Sequence, residues 1–252
     1  MKRILSFALA ALLLLTGCAG PSGSSLSGPD GSTQPPSPPK TVPSPVSTSR
    51  TLAQPIYPKF PAYPEEPKPG ENWEDYLQAQ SAYFDALRAI RGNGLSETAH
   101  AHLNQFAERS TALALSGREG KNTVYSPVSL WSALAMLAQC AQGDSRQQVL
   151  DALGVSSPEL LQEEVAQVWR GLYTDDGASS LLLANSIWLN SALPGSYVSE
   201  TLTTLAETYY AGVFSIPMGT DEADQQVTAW AKEQTNGLIG GDQPVVRTKA
   251  ET

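Results

Sequence analysis

The sequence predicts an α+β fold in which helices pack on a mixed central sheet, preceded by an unstructured Pro/Ser-rich linker. Three observations lead there. Helix-period apolar patterns recur from Trp73 onward, two runs with a period of two interrupt them at Leu181–Asn190 and Val213–Ile216, and 14 of the 19 prolines lie between Ala19 and Gly70.

The amino terminus reads as a targeting segment. Lys2 and Arg3 precede an apolar run from Ile4 to Leu15, too short to span a bilayer as a permanent helix. Leu15-Thr16-Gly17-Cys18 resembles a bacterial lipobox, which implies cleavage after residue 17, a lipid on Cys18, and a chain tethered outside the cytoplasmic membrane. The alternative is an ordinary signal peptide. Residues 18–70 then form the linker: PPSPPKTVPSP favours extended polyproline conformations, so this stretch is expected to be a semi-rigid spacer without a packed core.

Glu71 to Arg91 is expected to be an accessory amphipathic helix, with Trp73, Tyr76, Leu77, Phe84 and Leu87 at helical spacing, before Gly92-Asn93-Gly94 breaks it. Leu95 to Leu115 follows as a long helix. Its His100 and His102 are two residues apart, face different directions and make poor metal partners. No G-x-S-x-G elbow is present to recruit either histidine into a triad, so hydrolase chemistry is disfavoured.

The segment Asn122–Gly154 carries the most information. Ser126 caps a helix and Pro127 occupies its first turn, where a missing N–H costs nothing. Val128, Leu130, Trp131 and the Ala133–Ala138 run circle the whole cylinder, which predicts a helix buried on every side and closed by Gly143. Cys140 within it reads as a buried structural thiol. Asp144 and Gln147 suggest a capping box for a second helix ended by Gly154, and Ser157-Pro158 starts a third. Asp175-Asp176-Gly177 is a turn that lacks the spaced oxygens of a calcium loop.

Leu181 to Asn190 alternates with two largely apolar faces, which predicts a strand inside a sheet. Asn185 lies among its leucines and isoleucine and must be hydrogen-bonded if buried, because an unpaired amide costs roughly 1–3 kcal/mol. A helix through Val198–Tyr209, a short strand Val213–Ile216 and a helix Asp221–Gln234 ended by Asn236-Gly237 complete the order. Val245-Val246 starts like a strand that nothing follows, and two strands cannot cover a helix apolar all round. On packing grounds the chain is expected to be incomplete.

Two stretches resemble the serpin family. The first is Asn122, Tyr125, Ser126, Pro127 and Ser129 leading into Ala133–Leu137 and Gly143, with Ser145 where the family usually has threonine. The second is LLLANSIWLN followed by VTAWAKEQTNGLI, with Trp230, Thr235, Gly237 and Ile239 matching. The resemblance runs from Leu95 to about Gly241, the amino-terminal part of a serpin domain spanning 95–252. It implies that Ser126, Pro127 and Ser129 stand at the shutter where sheet strands part, and that Asn185, Thr235 and Gly237 belong to the family's structural motifs. It also implies that the complete protein traps extracellular serine or cysteine proteases with a reactive centre loop absent from this chain.

The expected function is therefore that of a surface-tethered bacterial serpin, or alternatively a non-inhibitory surface protein of the same fold. A third reading is a self-sufficient adhesin acting through Trp73, Tyr76 and Phe84. The net charge of −9 argues against nucleic acid, and no cofactor, metal or catalytic constellation is implied.

Overall fold

The computed structural model describes residues 49–176 and 179–250. Cys18, the targeting run and the linker up to residue 48 lie outside the described residues. The chain runs β1 (Arg50–Ala53), α1 (Trp73–Arg91), α2 (Glu97–Leu115), α3 (Pro127–Cys140), α4 (Gly143–Leu153), α5 (Pro158–Leu172), β2 (Thr174–Asp175), β3 (Ser180–Leu181), β4 (Asn185–Asn190), α6 (Ser199–Glu207), β5 (Ala211–Ile216) and α7 (Asp221–Gln234).

Helix starts follow local chemistry closely. Asn72, Ser96, Ser126, Ser157 and Thr220 each place a side-chain oxygen where it accepts a first-turn amide of the helix that follows, removing one of the unpaired donors left at every helix start. Pro127 and Pro158 sit in the first turns they were expected to fill. Two end signals read differently. α3 stops at Cys140, and its last carbonyls are capped by Arg146, whose Nε donates to Ala138 O at 3.2 Å and Ala141 O at 2.7 Å. Gly143 instead opens α4, so Asp144 falls inside the first turn and the capping box does not form. The Asp144 charge then favours the helix dipole, and Gln147 Nε2 donates forward to Asp151 Oδ1 at 2.8 Å.

The main sheet has the order β1-β5-β4. β4 and β5 are parallel, Asn185 opposite Ala211 through Asn190 opposite Ile216, and α6 makes the crossover that parallel strands require. β5, read as a short strand over Val213–Ile216, begins two residues earlier and is the central strand, whereas β4, read as lying inside a sheet, stands at the edge of the described sheet. Residues 182–184 join no strand, and Leu181 instead ends the small β2–β3 hairpin, in which Thr174 pairs with Leu181 and Asp175, expected in a turn, pairs with Ser180.

The third strand comes from the segment expected to be an unpacked spacer. β1 pairs antiparallel with β5, with a bulge between Thr51 and Ala53. Just beyond it Tyr57 stacks against Trp169, Tyr173 and Tyr210 at centroid distances of 5.7, 5.6 and 6.4 Å, and Phe60 packs on Tyr173 at 6.0 Å. The prolines here set an extended path, and the aromatic residues between them supply the area that fastens it.

The core lies between α3, α4, α5 and α6 and the sheet, around Trp131, Ala135, Leu150, Leu153, Leu161, Leu205, Tyr209 and Val213. α3 is not buried all round. Trp131, Ala135, Met136 and Ala138 are buried, but Ala133, Leu137 and Cys140, at positions i, i+4 and i+7 of one face, are exposed because no described element covers that side. Cys140 is thus an exposed thiol at a helix end, flanked closely enough that partial burial still pushes its pKa up.

Among the described residues the tail after α7 forms no strand. Asp224, 4% exposed, accepts from Thr248 N at 2.7 Å and Thr248 Oγ1 at 2.8 Å, and Asn190 Nδ2 donates to Ala250 O at 2.8 Å. These side-chain anchors compete successfully with extension of the Val245-Val246 run. The tail crosses Gly219 so closely that a Cβ there would lie 2.7 Å from Ala250 N, and Gly219 has φ +84°.

Candidate functional site

Of the residues singled out from the sequence, Ser126, Pro127 and Ser129 form the start of α3. Ser126 Oγ accepts from Ser129 N at 3.2 Å and from Ser129 Oγ at 2.9 Å, so one hydroxyl pair closes the helix start and Pro127 continues it. At the far side of the sheet Thr235 ends α7. Its Oγ1 donates to Ala231 O at 2.7 Å and accepts from Ile239 N at 3.0 Å. Gly237, with φ +83°, lets its own N–H return to Lys232 O at 2.8 Å, which reverses the chain after α7.

Between these two helix ends lies a cleft of about 420 Å³. Ser129 and Ser132 of α3, Val165, Val168 and Trp169 of α5, residues 182–184 ahead of β4 with Asn185 at its start, Trp230 and Gln234 of α7, and Thr235 just after it line the cleft. The fold thus brings Ser129, Asn185 and Thr235, separated by up to about a hundred residues, to one wall. Ser126, Pro127 and Gly237 support the ends of the helices that form it and are not in the lining. Asn185 is half-buried and Nδ2 donates to Tyr209 O at 3.4 Å, which ties the first residue of β4 to the turn before β5.

None of the lining residues is charged. Hydroxyls, two amides and apolar side chains provide hydrogen-bond partners and dry surface, with no group suited to move a proton near neutral pH. The cleft meets the sheet at Asn185, the first residue of β4, the strand whose outer edge has no partner among the described residues.

A region of similar size, about 450 Å³, lies under α7, where Trp188 stacks on Phe214 at 4.4 Å and meets Trp230 edge-on at 6.2 Å. A third feature was missed from the sequence. Glu164, 1% exposed, lies on the apolar side of α5 and is held by His102 of α2, with Nδ1 and Oε1 2.8 Å apart. Its signal was present in the spacing Leu161, Glu164, Val165, Val168, which puts the carboxylate on the face that packs.

A family model described as serpin (serine protease inhibitor) matches residues 101–242, more than half of the chain. The chain belongs to the serpin family. Curated relatives agree: it is 30% identical over 147 residues to serine protease inhibitor A6 of Xenopus laevis, covering 54% of this chain and 32% of that protein. It is 31% identical over 146 residues to serpin-Z1C of Triticum aestivum, covering 55% and 36%. Among solved structures it is similar to an Arabidopsis serpin in its native stressed conformation, with a TM-score of 0.54 and 23% identity over 62% of this chain and 40% of that one. It is also similar to the thermophilic serpin tengpin in the native state, with a TM-score of 0.50 and 24% identity over 62% and 41%. At such identity the structures speak for the fold, which is a partial serpin fold. The chain spans about a third of the length of these curated relatives. Serpins are protease inhibitors rather than enzymes.

Proposed function

We propose that this chain is part of a surface-tethered bacterial serpin that, in its complete form, traps extracellular serine or cysteine proteases. The observation that carries the reading is the match to the serpin family over residues 101–242, together with the uncharged cleft that gathers Ser129, Asn185 and Thr235. In a serpin of this kind a protease-cleaved loop adds to the central sheet as a strand, and the sheet must offer an edge and a trough to take it. Ser126 and Ser129 hold the helix under the opening, Asn185 fastens β4 at its first residue, and Thr235 with Gly237 reverses the chain on the opposite wall. The loop itself is not contained in this sequence. Cys18 would carry the lipid that holds the protein at the outer face of the membrane, with the Pro/Ser-rich stretch as spacer.

The test uses the complete gene product. Incubated with a panel of serine and cysteine proteases, it should give a covalent complex stable to denaturing electrophoresis with at least one of them, and no complex across the panel overturns the proposal. Tethering is read separately by labelling with a radioactive fatty acid, which Cys18→Ser should abolish.

A second reading, a non-inhibitory binding protein, is favoured by relatives named for binding. Corticosteroid-binding globulin is 29% identical over 127 residues in Sus scrofa and 30% over 129 in Ovis aries. Ligand retention by the complete protein in the absence of any protease complex would select it.

A further inference from the structure

The hollow of about 450 Å³ between α7 and the sheet is built differently from the cleft. Its floor follows from one face of the sheet. Side chains two apart on a strand point the same way, so Ser186 and Trp188 of β4 share a face with Gly212 and Phe214, their partners on β5. A glycine within a strand weakens the sheet and marks the close approach of another group. Here that group is the Phe214 ring: a Cβ at Gly212 would lie 2.7 Å from Phe214 Cε2, so the glycine lets the ring lie back along the strand. Trp188 stacks on this ring at 4.4 Å and donates Nε1 to Ser186 Oγ at 2.9 Å, which fixes the indole as well. Trp230 of α7 meets Trp188 edge-on.

Around the rings the lining is rich in amides. Gln54 comes from the segment after β1 and Gln234 from α7, with Glu233 beside it. The side chains of these three residues have no hydrogen-bond partner among the described residues. Asn185, Trp230 and Gln234 border both this hollow and the cleft.

The lining selects its ligand by exclusion. It holds no Lys, Arg or His, so an anion meets no counter-charge and is repelled by Glu233. A purely apolar ligand would take polar side chains out of water without giving them partners. Trp188, Phe214 and Trp230 touch one another rather than face each other across a gap, which leaves them no cage for a quaternary ammonium ion. A neutral ligand with an apolar face for the rings and hydroxyls for the amides satisfies every group, because an amide both donates and accepts. A saccharide ring has that form, with C–H groups on its face and hydroxyls around its edge. The volume is in the range of small-ligand pockets.

We propose that the hollow between α7 and the sheet is a binding site for a neutral saccharide, with Trp188, Phe214 and Trp230 as its apolar wall and Gln54, Glu233 and Gln234 as its hydroxyl partners. The site does not rest on protease trapping by the complete protein.

Saturation-transfer difference NMR of the full 252-residue chain tests it. Maltose, cellobiose and N,N′-diacetylchitobiose are added singly up to about 10 mM, a concentration that largely fills a site of millimolar Kd. Transfer to the ring C–H protons of at least one disaccharide is expected. Gln54→Ala and Glu233→Ala, both exposed positions, should each weaken binding of that sugar by about threefold, and together by about tenfold. Trp188→Ala should abolish it; should that variant lose its near-ultraviolet circular dichroism, the two exposed variants decide alone. Trp73→Ala, outside the lining, should leave the affinity unchanged. Absence of transfer to all three sugars overturns the proposal. So does transfer indifferent to Gln54→Ala and Glu233→Ala together, which would place the sugar at another surface. Binding of tetramethylammonium that Trp188→Ala removes, with no sugar bound, would overturn it in favour of a cation site.

Discussion

Glu164 shows how one side chain constrains a whole face. A carboxylate 1% exposed is expensive unless partnered, and the described partner is His102, itself half-buried, across the α2–α5 contact. The second oxygen, Oε2, has no hydrogen-bond partner among the described residues. Removing the imidazole therefore strands a buried polar group, whereas removing both members does not. His102→Ala is expected to destabilise the chain by about 1–3 kcal/mol. The double variant His102→Leu/Glu164→Leu should recover most of that, because an apolar pair of comparable volume fills the site without unpaired polar atoms. Urea unfolding midpoints of the two variants check the asymmetry. Equal losses would show that the pair acts through packing alone. The Ser126–Ser129 hydroxyl pair is of a different kind. It caps a helix whichever function the cleft serves, so its local geometry follows from helix-start chemistry alone.

At the scale of elements, the strap of β1 and Tyr57 is the addition that links the Pro-rich segment to the folded unit. Tyr57 lies over Trp169 and beside Tyr173 and Tyr210, and its hydroxyl is pushed up to about 12, first by burial and then by the neighbouring Tyr173. Raised folded-state ionisation has a fixed sign. The unfolded chain loses this proton near pH 10 and the folded chain only near pH 12. The stabilisation is then complete below pH 10 and falls as the pH rises through that interval. Amide exchange of Arg50–Ala53 should therefore speed up between pH 10 and pH 12 by more than the intrinsic base-catalysed rate. Tyr57→Phe, which keeps the ring and removes the ionisable group, should make that excess shallower. It does not vanish, because burial also raises Tyr173 and Tyr209. An excess identical in the parent and the variant would show that Tyr57 does not hold the strap.

At the scale of the molecule, the Ala133–Leu137–Cys140 face of α3 and the cleft at the start of β4 are apolar surfaces left uncovered by the described residues. A folded unit with such surfaces takes up small amphiphiles and added strands. The chain should enhance the fluorescence of anilinonaphthalene sulfonate at neutral pH while its near-ultraviolet circular dichroism remains native. Leu183→Asp, a half-buried cleft residue outside every strand, should reduce that signal. Undiminished dye binding in this variant would place the accessible apolar surface elsewhere.

The sequence alone determined what depends on neighbours along the chain. Helix starts at Ser126-Pro127, Ser157-Pro158 and Thr220 are local hydrogen-bond chemistry, and the period of three to four or of two is local geometry. The serpin resemblance rode on those same segments. The Ser126–Ser129 pair and the α7 terminus at Thr235 and Gly237 were accordingly legible before any fold was known. Only the tertiary structure decided which strand is central, since apolar faces on β4 do not say how many strands flank it. It decided that Arg50–Ala53 leaves the Pro-rich segment to pair with β5, that Arg146 rather than Gly143 closes α3, and that Cys140 is exposed. It also put Glu164 against His102 and brought Ser129, Asn185 and Thr235 to one cleft. The physical reason is the same in each case: burial and partner choice are properties of contacts between segments far apart in sequence, and no periodicity within one segment encodes which other segment will cover it.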